Sequence, residues 1–237
     1  MAQASEPMKD QRAPIAGMTS LNVTAFPDRV VEMIEDLIAS GQLRGGDRLT
    51  EQRLSDSLGV SRTPMREAIK ILAARGLVRV RPNAGAVVSL PDEREAKQLV
   101  EAMGWLWEKL APLVVQTIGR DEEDALTRLH ERMCELAETG DMLEWAKLNR
   151  EFHERIIDAS GNEVACAIAK NLQMRIYLCF AIGQRTSARQ MQANDEHAQI
   201  LEAIHRRDGE GLAGMLMCHT GKAFETAYET RIISKSE

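Results

Sequence analysis

Residues 61–81, SRTPMREAIKILAARGLVRVR, decide how this chain is read. Thr63 followed by Pro64 marks a helix start, because Thr caps a free amide and Pro is tolerated at the first helical position; Ser61 is the alternative cap. Met65, Ile69, Leu72 and Ala73 recur at helical spacing and form one apolar stripe. Arg62, Arg66 and Lys70 sit four apart on another face. Gly76 suits the left-handed residue that follows a helix. From Ser61 to Arg81 there are six basic residues and one acidic residue, Glu67. A helix braced on its apolar side, with arginines near its N-terminus, fits a DNA major groove, because guanidinium bonds guanine bidentately and also holds phosphate. An amphipathic helix with a solvated basic face has the same pattern, so the flanking segments must decide.

Their order decides it. Residues 27–40, PDRVVEMIEDLIAS, carry Val30, Ile34, Leu37 and Ile38 at helical spacing. Gly45-Gly46-Asp47 is a turn. Thr50 caps a short helix from Glu51 to Leu58, with Leu54 and Leu58 pointing inward, and Gly59-Val60 leads tightly into the basic helix. Two short helices joined by a few residues containing Gly make a helix-turn-helix. After Gly76 the period changes. Leu77–Val80 and Ala86–Leu90 are β-prone runs around the turn Arg81-Pro82-Asn83-Ala84-Gly85, which reads as a hairpin. Placed there it is a wing, with Arg79 and Arg81 in reach of phosphates or the minor groove.

The rest of the chain is helical. Asp92 with Glu95 is a capping box. Helical patterns then run over 93–118 (with kinks expected at Gly104 and Pro112), 121–138, 141–159, 163–183, 187–206 and 208–232. Gly119, Gly140, Gly161 and Gly183 separate them. Short connections imply an antiparallel bundle. Trp105, Trp107 and Trp145 fall in this half as core or dimer-interface residues. Residues 1–20 lack periodicity and read as a disordered tail.

Charge follows the same division. The whole chain is −6, but residues 1–90 hold 12 Lys+Arg against 10 Asp+Glu, net +2, and residues 91–237 hold 18 against 26, net −8. A basic front and an acidic back fit a DNA reader joined to a different module. The four dispersed cysteines, Cys134, Cys166, Cys179 and Cys218, read as reduced thiols. No apolar run is long enough to cross a bilayer, and no secretory-type apolar core opens the sequence, which gives a cytoplasmic expectation.

The stretch LTEQRLSDSLGVSRTPMREAIKILAARGLVRVRPNAGAVV resembles the DNA-binding domain of GntR-family bacterial transcription regulators, without gaps from Asp28 to Val88. The resemblance implies operator binding as a dimer. Arg62, Thr63 and Arg66 match positions of the recognition helix that contact DNA, and Gly85 matches the wing tip. Gln52 stands where some members have a DNA-touching arginine before Arg53. Gln52, Arg53, Lys70 and Arg81 complete the set expected on the DNA side.

Histidines carry the remaining signal. Asn149 and His153 share a helix face, and His197 and His219 lie on the last two helices. Three imidazoles and one oxygen ligand from three helices can hold a divalent metal such as zinc or nickel. A buried His is more often a hydrogen-bonded core residue, and spacing leaves both readings open. His130 and His205 sit among charges and read as surface residues. LNREFHERIIDASGN, DEHAQILEAIHRRD and CHTGKAFE resemble the helical, FCD-type ligand-binding domain of the FadR-like branch. That resemblance implies a metal held by one Asp and three His beside a small carboxylate effector. His153, His197 and His219 match the histidines, and Asn149 stands at the Asp position, which removes a charge. Gly104 stands near a position where members commonly carry an effector-gripping arginine; Arg175 and Arg185 are the candidate substitutes, and the alternative reading puts each on a solvated face.

The expectation is therefore a mainly α protein: a winged helix-turn-helix over 21–91 and an antiparallel all-α effector-binding and dimerisation domain over 92–237. It would be a homodimeric repressor on double-stranded DNA, controlled by a small organic acid, with a divalent metal and no membrane partner. The alternative is a constitutive DNA-binding dimer whose helical half is structural. Enzyme activity is not expected, because no acid–base pair, HExxH or nucleophile motif accompanies the histidines.

Overall fold

The computed structural model describes residues 25–81, 85–180 and 187–233. The tail expected over residues 1–20, the hairpin turn at 82–84, Gly183 and Arg185 lie outside them. Helix α1 (Ala25–Ala39) buries Val30, Val31, Ile34 and Ile38. Helix α2 (Glu51–Leu58) is capped as expected, with Thr50 Oγ1 accepting from the Arg53 amide at 3.4 Å. It ends at Gly59, whose φ of +66° is a left-handed conformation that glycine adopts without strain. Helix α3 (Arg62–Ala74) buries Met65, Ala68, Ile69 and Leu72. Its cap position is Ser61 rather than Thr63, and Ser61 makes no side-chain capping bond. Thr63 and Pro64 lie inside the first turn, where a missing proline N–H leaves no helical bond unmade.

Strands β2 (Val78–Arg81) and β3 (Gly85–Val88) form the wing, in register from Val78 opposite Val88 to Arg81 opposite Gly85. A third strand, β1 (Arg48–Leu49), pairs with β3 and gives the order β1-β3-β2. Two residues are too few to show a period-2 pattern, so sequence reading passed over it.

The second half is helical among the described residues: α4 (Glu93–Thr117), α5 (Arg120–Thr139), α6 (Met142–Asp158), α7 (Glu163–Phe180), α8 (Ser187–His205) and α9 (Gly209–Ile233). Asp92 Oδ1 accepts from the Glu95 amide at 2.8 Å and starts α4, which continues as one helix through Gly104 and Pro112. A Cβ at Gly209 would stand 2.8 Å from Pro112 Cα, so glycine lets α9 begin directly against α4. Trp107 and Trp145 are in the core, but Trp105 is 62% exposed and takes no part in it.

The two halves share a core. Met174, Tyr177 and Leu178 of α7 are buried in the same apolar cluster as Val31, Ile34, Leu72 and Val88 of the winged helix. Polar contacts frame this joint. Arg150 of α6 pairs with Asp36 of α1 and, at 3.0 Å, with Glu154. Arg175 Nη2 meets Glu95 Oε1 at 2.7 Å, with its guanidinium stem over Gly76. Asn171 donates to the Arg75 carbonyl at 3.2 Å. A cavity of about 610 Å³ lies between α1 and the α6–α7 pair, lined by Glu35, Asp36, Arg75, Arg150, Glu154 and Lys170 among others.

Candidate DNA interface and metal centre

Burial of Met65, Ile69 and Leu72 against α1 fixes the rotation of α3, and the opposite face is left in water. Arg62, Thr63, Arg66 and Lys70 are all exposed on it, and Gln52 and Arg53 are exposed on α2. The cations are held by local partners. Arg66 meets Glu51 at 3.0 Å, Lys70 meets Glu67 at 2.8 Å, and Arg62 donates to Gln52. These partners are themselves solvated, so exchange for phosphate or base edges is open to all three. The Glu51 hydrogen bond raises the Arg66 pKa further above its already high value, so Arg66 stays charged. Gly85 pairs with Arg81 at the hairpin end; its φ of +78° is left-handed. The Arg81 side chain lies outside the described residues.

The histidines come together. His153 (α6), His197 (α8) and His219 (α9) are each at most 7% exposed, and one ligand nitrogen from each lies within 4.8 Å of the others. Ring centroids are 5.2 Å apart for His153–His197, 4.9 Å for His153–His219 and 4.7 Å for His197–His219. Burial lowers all three pKa values below the ordinary imidazole range, and neighbouring imidazoles push His153 and His197 lower still. The rings are therefore neutral near pH 7, with lone pairs available. Among the described residues, both nitrogens of His197 and Nδ1 of His153 are buried without hydrogen-bond partners. Asn149, one turn before His153, is 3% exposed, and its Oδ1 is likewise unpartnered. Orphaned polar atoms at that density are costly unless something binds them. Neutral imidazoles plus an amide oxygen form a donor set that fits a divalent cation of the zinc or nickel type.

The surroundings hold residues that sequence reading missed. Glu196 Oε2 takes His219 Nδ1 at 2.6 Å, which leaves the Nε2 lone pair of His219 for a ligand role. Burial pushes the Glu196 carboxyl up, but His219 and the buried Arg189 at 3.2 Å outweigh it and hold it below the usual range. Glu196 adjoins His197 in sequence yet serves His219, 23 residues on, so no local pattern reveals the pairing. Among the described residues, Arg189 is the arginine beside the cluster, whereas Arg175 is placed at the joint with Glu95. His205 is exposed beside Glu123, as expected. His130 departs from expectation: it is half-buried and bonds the Asn194 carbonyl at 3.0 Å, because α5 packs on α8 there.

Residues 27–88 match the bacterial regulatory proteins of the gntR family, and residues 98–222 match the FCD domain. Among curated relatives, the Nta operon transcriptional regulator of Aminobacter aminovorans is 28% identical over 195 residues, covering 81% of this chain and 90% of its own. The gluconate operon transcriptional repressor of Bacillus subtilis is 25% identical over 190 residues, covering 76% of each. Among solved structures, E. coli McbR/YncC shares the fold with a TM-score of 0.80 at 22% identity, over 86% of this chain and 97% of its own.

Proposed function

The chain belongs to the gntR family of bacterial regulatory proteins that carry an FCD domain and is a DNA-binding transcription regulator; from that premise we propose that it is a metabolite-controlled repressor acting as a homodimer in the cytoplasm. Two copies of α3 read the half-sites of an inverted repeat, so that protein symmetry matches operator symmetry. Arg62, Thr63 and Arg66 face base edges; Gln52, Arg53, Lys70, Arg81 and Gly85 stand over the backbone. Phosphate contacts supply most of the affinity and make it salt-dependent.

His153, His197, His219 and Asn149 hold a divalent metal, which supplies a Lewis-acidic anchor for one carboxylate of the effector. The other residues act around that anchor. Glu196 keeps His219 in the tautomer that presents Nε2, and Arg189 adds positive charge beside the cluster. An operon named for gluconate, controlled by a relative, supports a small organic acid as the effector class. The effector regulates only if it binds one arrangement of the dimer better than the other.

The observation that carries this reading is the pairing of an exposed basic helix with a buried cluster of neutral imidazoles, three of whose nitrogens lack hydrogen-bond partners among the described residues. A gel-shift titration with Arg66→Ala on the natural operator, alongside elemental analysis of the purified protein, tests it. The expected results are loss of sequence-specific binding in the variant and about one metal ion per chain. Full retention of specific affinity by the variant rejects the DNA side. A metal-free protein that does not take up added zinc returns the helical half to a structural role.

A further inference from the structure

We propose that Tyr177 orients the Asn149 amide, so that its oxygen faces the three histidines, and thereby ties metal occupancy to the seating of the winged helix on α7. The inference rests on the metal-binding reading above and asks how this particular ligand set works.

An amide differs from a carboxylate in one respect that matters here. Its two ends have nearly the same shape, but one is an acceptor and the other a donor. Only the oxygen can coordinate a cation; the NH2 end turned inward would present hydrogens to it. An Asn ligand therefore needs a neighbour that selects its orientation, and an Asp ligand does not. Asn149 has one. Its Nδ2 donates to the Tyr177 hydroxyl at 3.4 Å, while its Oδ1 is buried with no hydrogen-bond partner among the described residues.

Tyr177 belongs to both halves of the molecule. Its hydroxyl lies in the helical half, bonded to Asn149 and also to Gln173 one turn earlier on α7. Its ring lies in the winged-helix core with Met174, Leu178 and the buried face of α1. The next residue on α6 repeats the arrangement: Arg150 reaches Asp36 of α1 and Glu154 of its own helix. Adjacent residues of one helix thus connect the candidate metal centre to the DNA-reading module. A cation on Oδ1 draws electron density from the amide and makes Nδ2–H a stronger donor, as linked hydrogen bonds polarise one another. Metal binding then tightens the Tyr177 contact and holds α7 more firmly against α1.

Four proteins test this: the wild type, Tyr177→Phe, Asn149→Asp and the double variant. Tyr177→Phe keeps the ring in the apolar core, and thermal unfolding followed by circular dichroism confirms that each variant is folded. Zinc affinity is measured by competition with a chromophoric chelator. The expected result is that Tyr177→Phe weakens zinc binding about 10-fold or more when Asn149 is present, the size seen for lost partners of metal ligands. In the Asn149→Asp background the same change should alter affinity less than about 2-fold, because a carboxylate presents an oxygen either way. Hydrogen exchange of α1 peptides should slow on adding zinc to the wild type and not to Tyr177→Phe. Equal losses in both backgrounds, or no loss in either, overturn the orienting role while leaving the metal site standing. Failure of both the wild type and Asn149→Asp to bind zinc overturns the metal reading itself, and this inference with it.

Discussion

Replacing Leu178 with Ala should loosen a domain that ends some 90 residues earlier in the sequence. Leu178 is 4% exposed, and its neighbours in the shared cluster are the aliphatic residues of α1, α3 and the wing. Truncating a buried Leu to Ala costs about 2–5 kcal/mol, the sum of lost transfer energy and the cavity left behind. Because 1.4 kcal/mol is a factor of ten in an equilibrium, a mid-range loss of about 3 kcal/mol raises the open population roughly 100-fold. The assay is native-state hydrogen exchange resolved by peptide, which reports local opening free energies. Peptides covering Val30–Ile38 and Met65–Leu72 should exchange about 100-fold faster in Leu178→Ala, with α4 and α9 changing less. Operator affinity should fall in parallel. If α1 and α3 exchange at wild-type rates while only the helical half loosens, then α7 does not complete the winged-helix core, and the account of the joint is wrong.

Three further outcomes follow from particular residues. His153 and His197 have pKa values lowered by burial, so their neutral forms belong to the folded state. Their contribution is complete above pH 6.5 and is lost as pH falls below it, by up to about 1.4 kcal/mol per pH unit for each histidine; a melting temperature that does not drop between pH 7 and pH 5.5 contradicts this. Zinc at about 100 times its dissociation constant should stabilise the protein by about 2.7 kcal/mol, and both a chelator and His197→Ala should abolish the rise in melting temperature. Lys70 is exposed on the recognition helix, so Lys70→Ala should weaken binding to all sequences alike and lower the salt slope of operator binding by about one; an unchanged slope would remove Lys70 from the phosphate contacts.

Much of this protein is written locally. The apolar spacing in α1 and α3, the Thr50 and Asp92 caps, and the change to a hairpin after Gly76 depend on contacts within a few residues, and each could be read before any coordinates. Sequence patterning also determined which face of α3 stays wet, because burying Met65, Ile69 and Leu72 leaves Arg62 and Arg66 only the outside. Tertiary structure decided what no period can encode. It placed three histidines from three helices within one ligand's reach, turned Glu196 toward His219 rather than away, and moved Arg175 to the joint with Glu95. It also gave Met174, Tyr177 and Leu178 to the core of a module that ends far before them in the sequence. The reason is physical. Hydrogen-bonded turns and hairpins repeat along the chain and leave a period in the sequence, whereas a contact between distant elements depends on how whole helices pack, and packing leaves no mark at either residue alone.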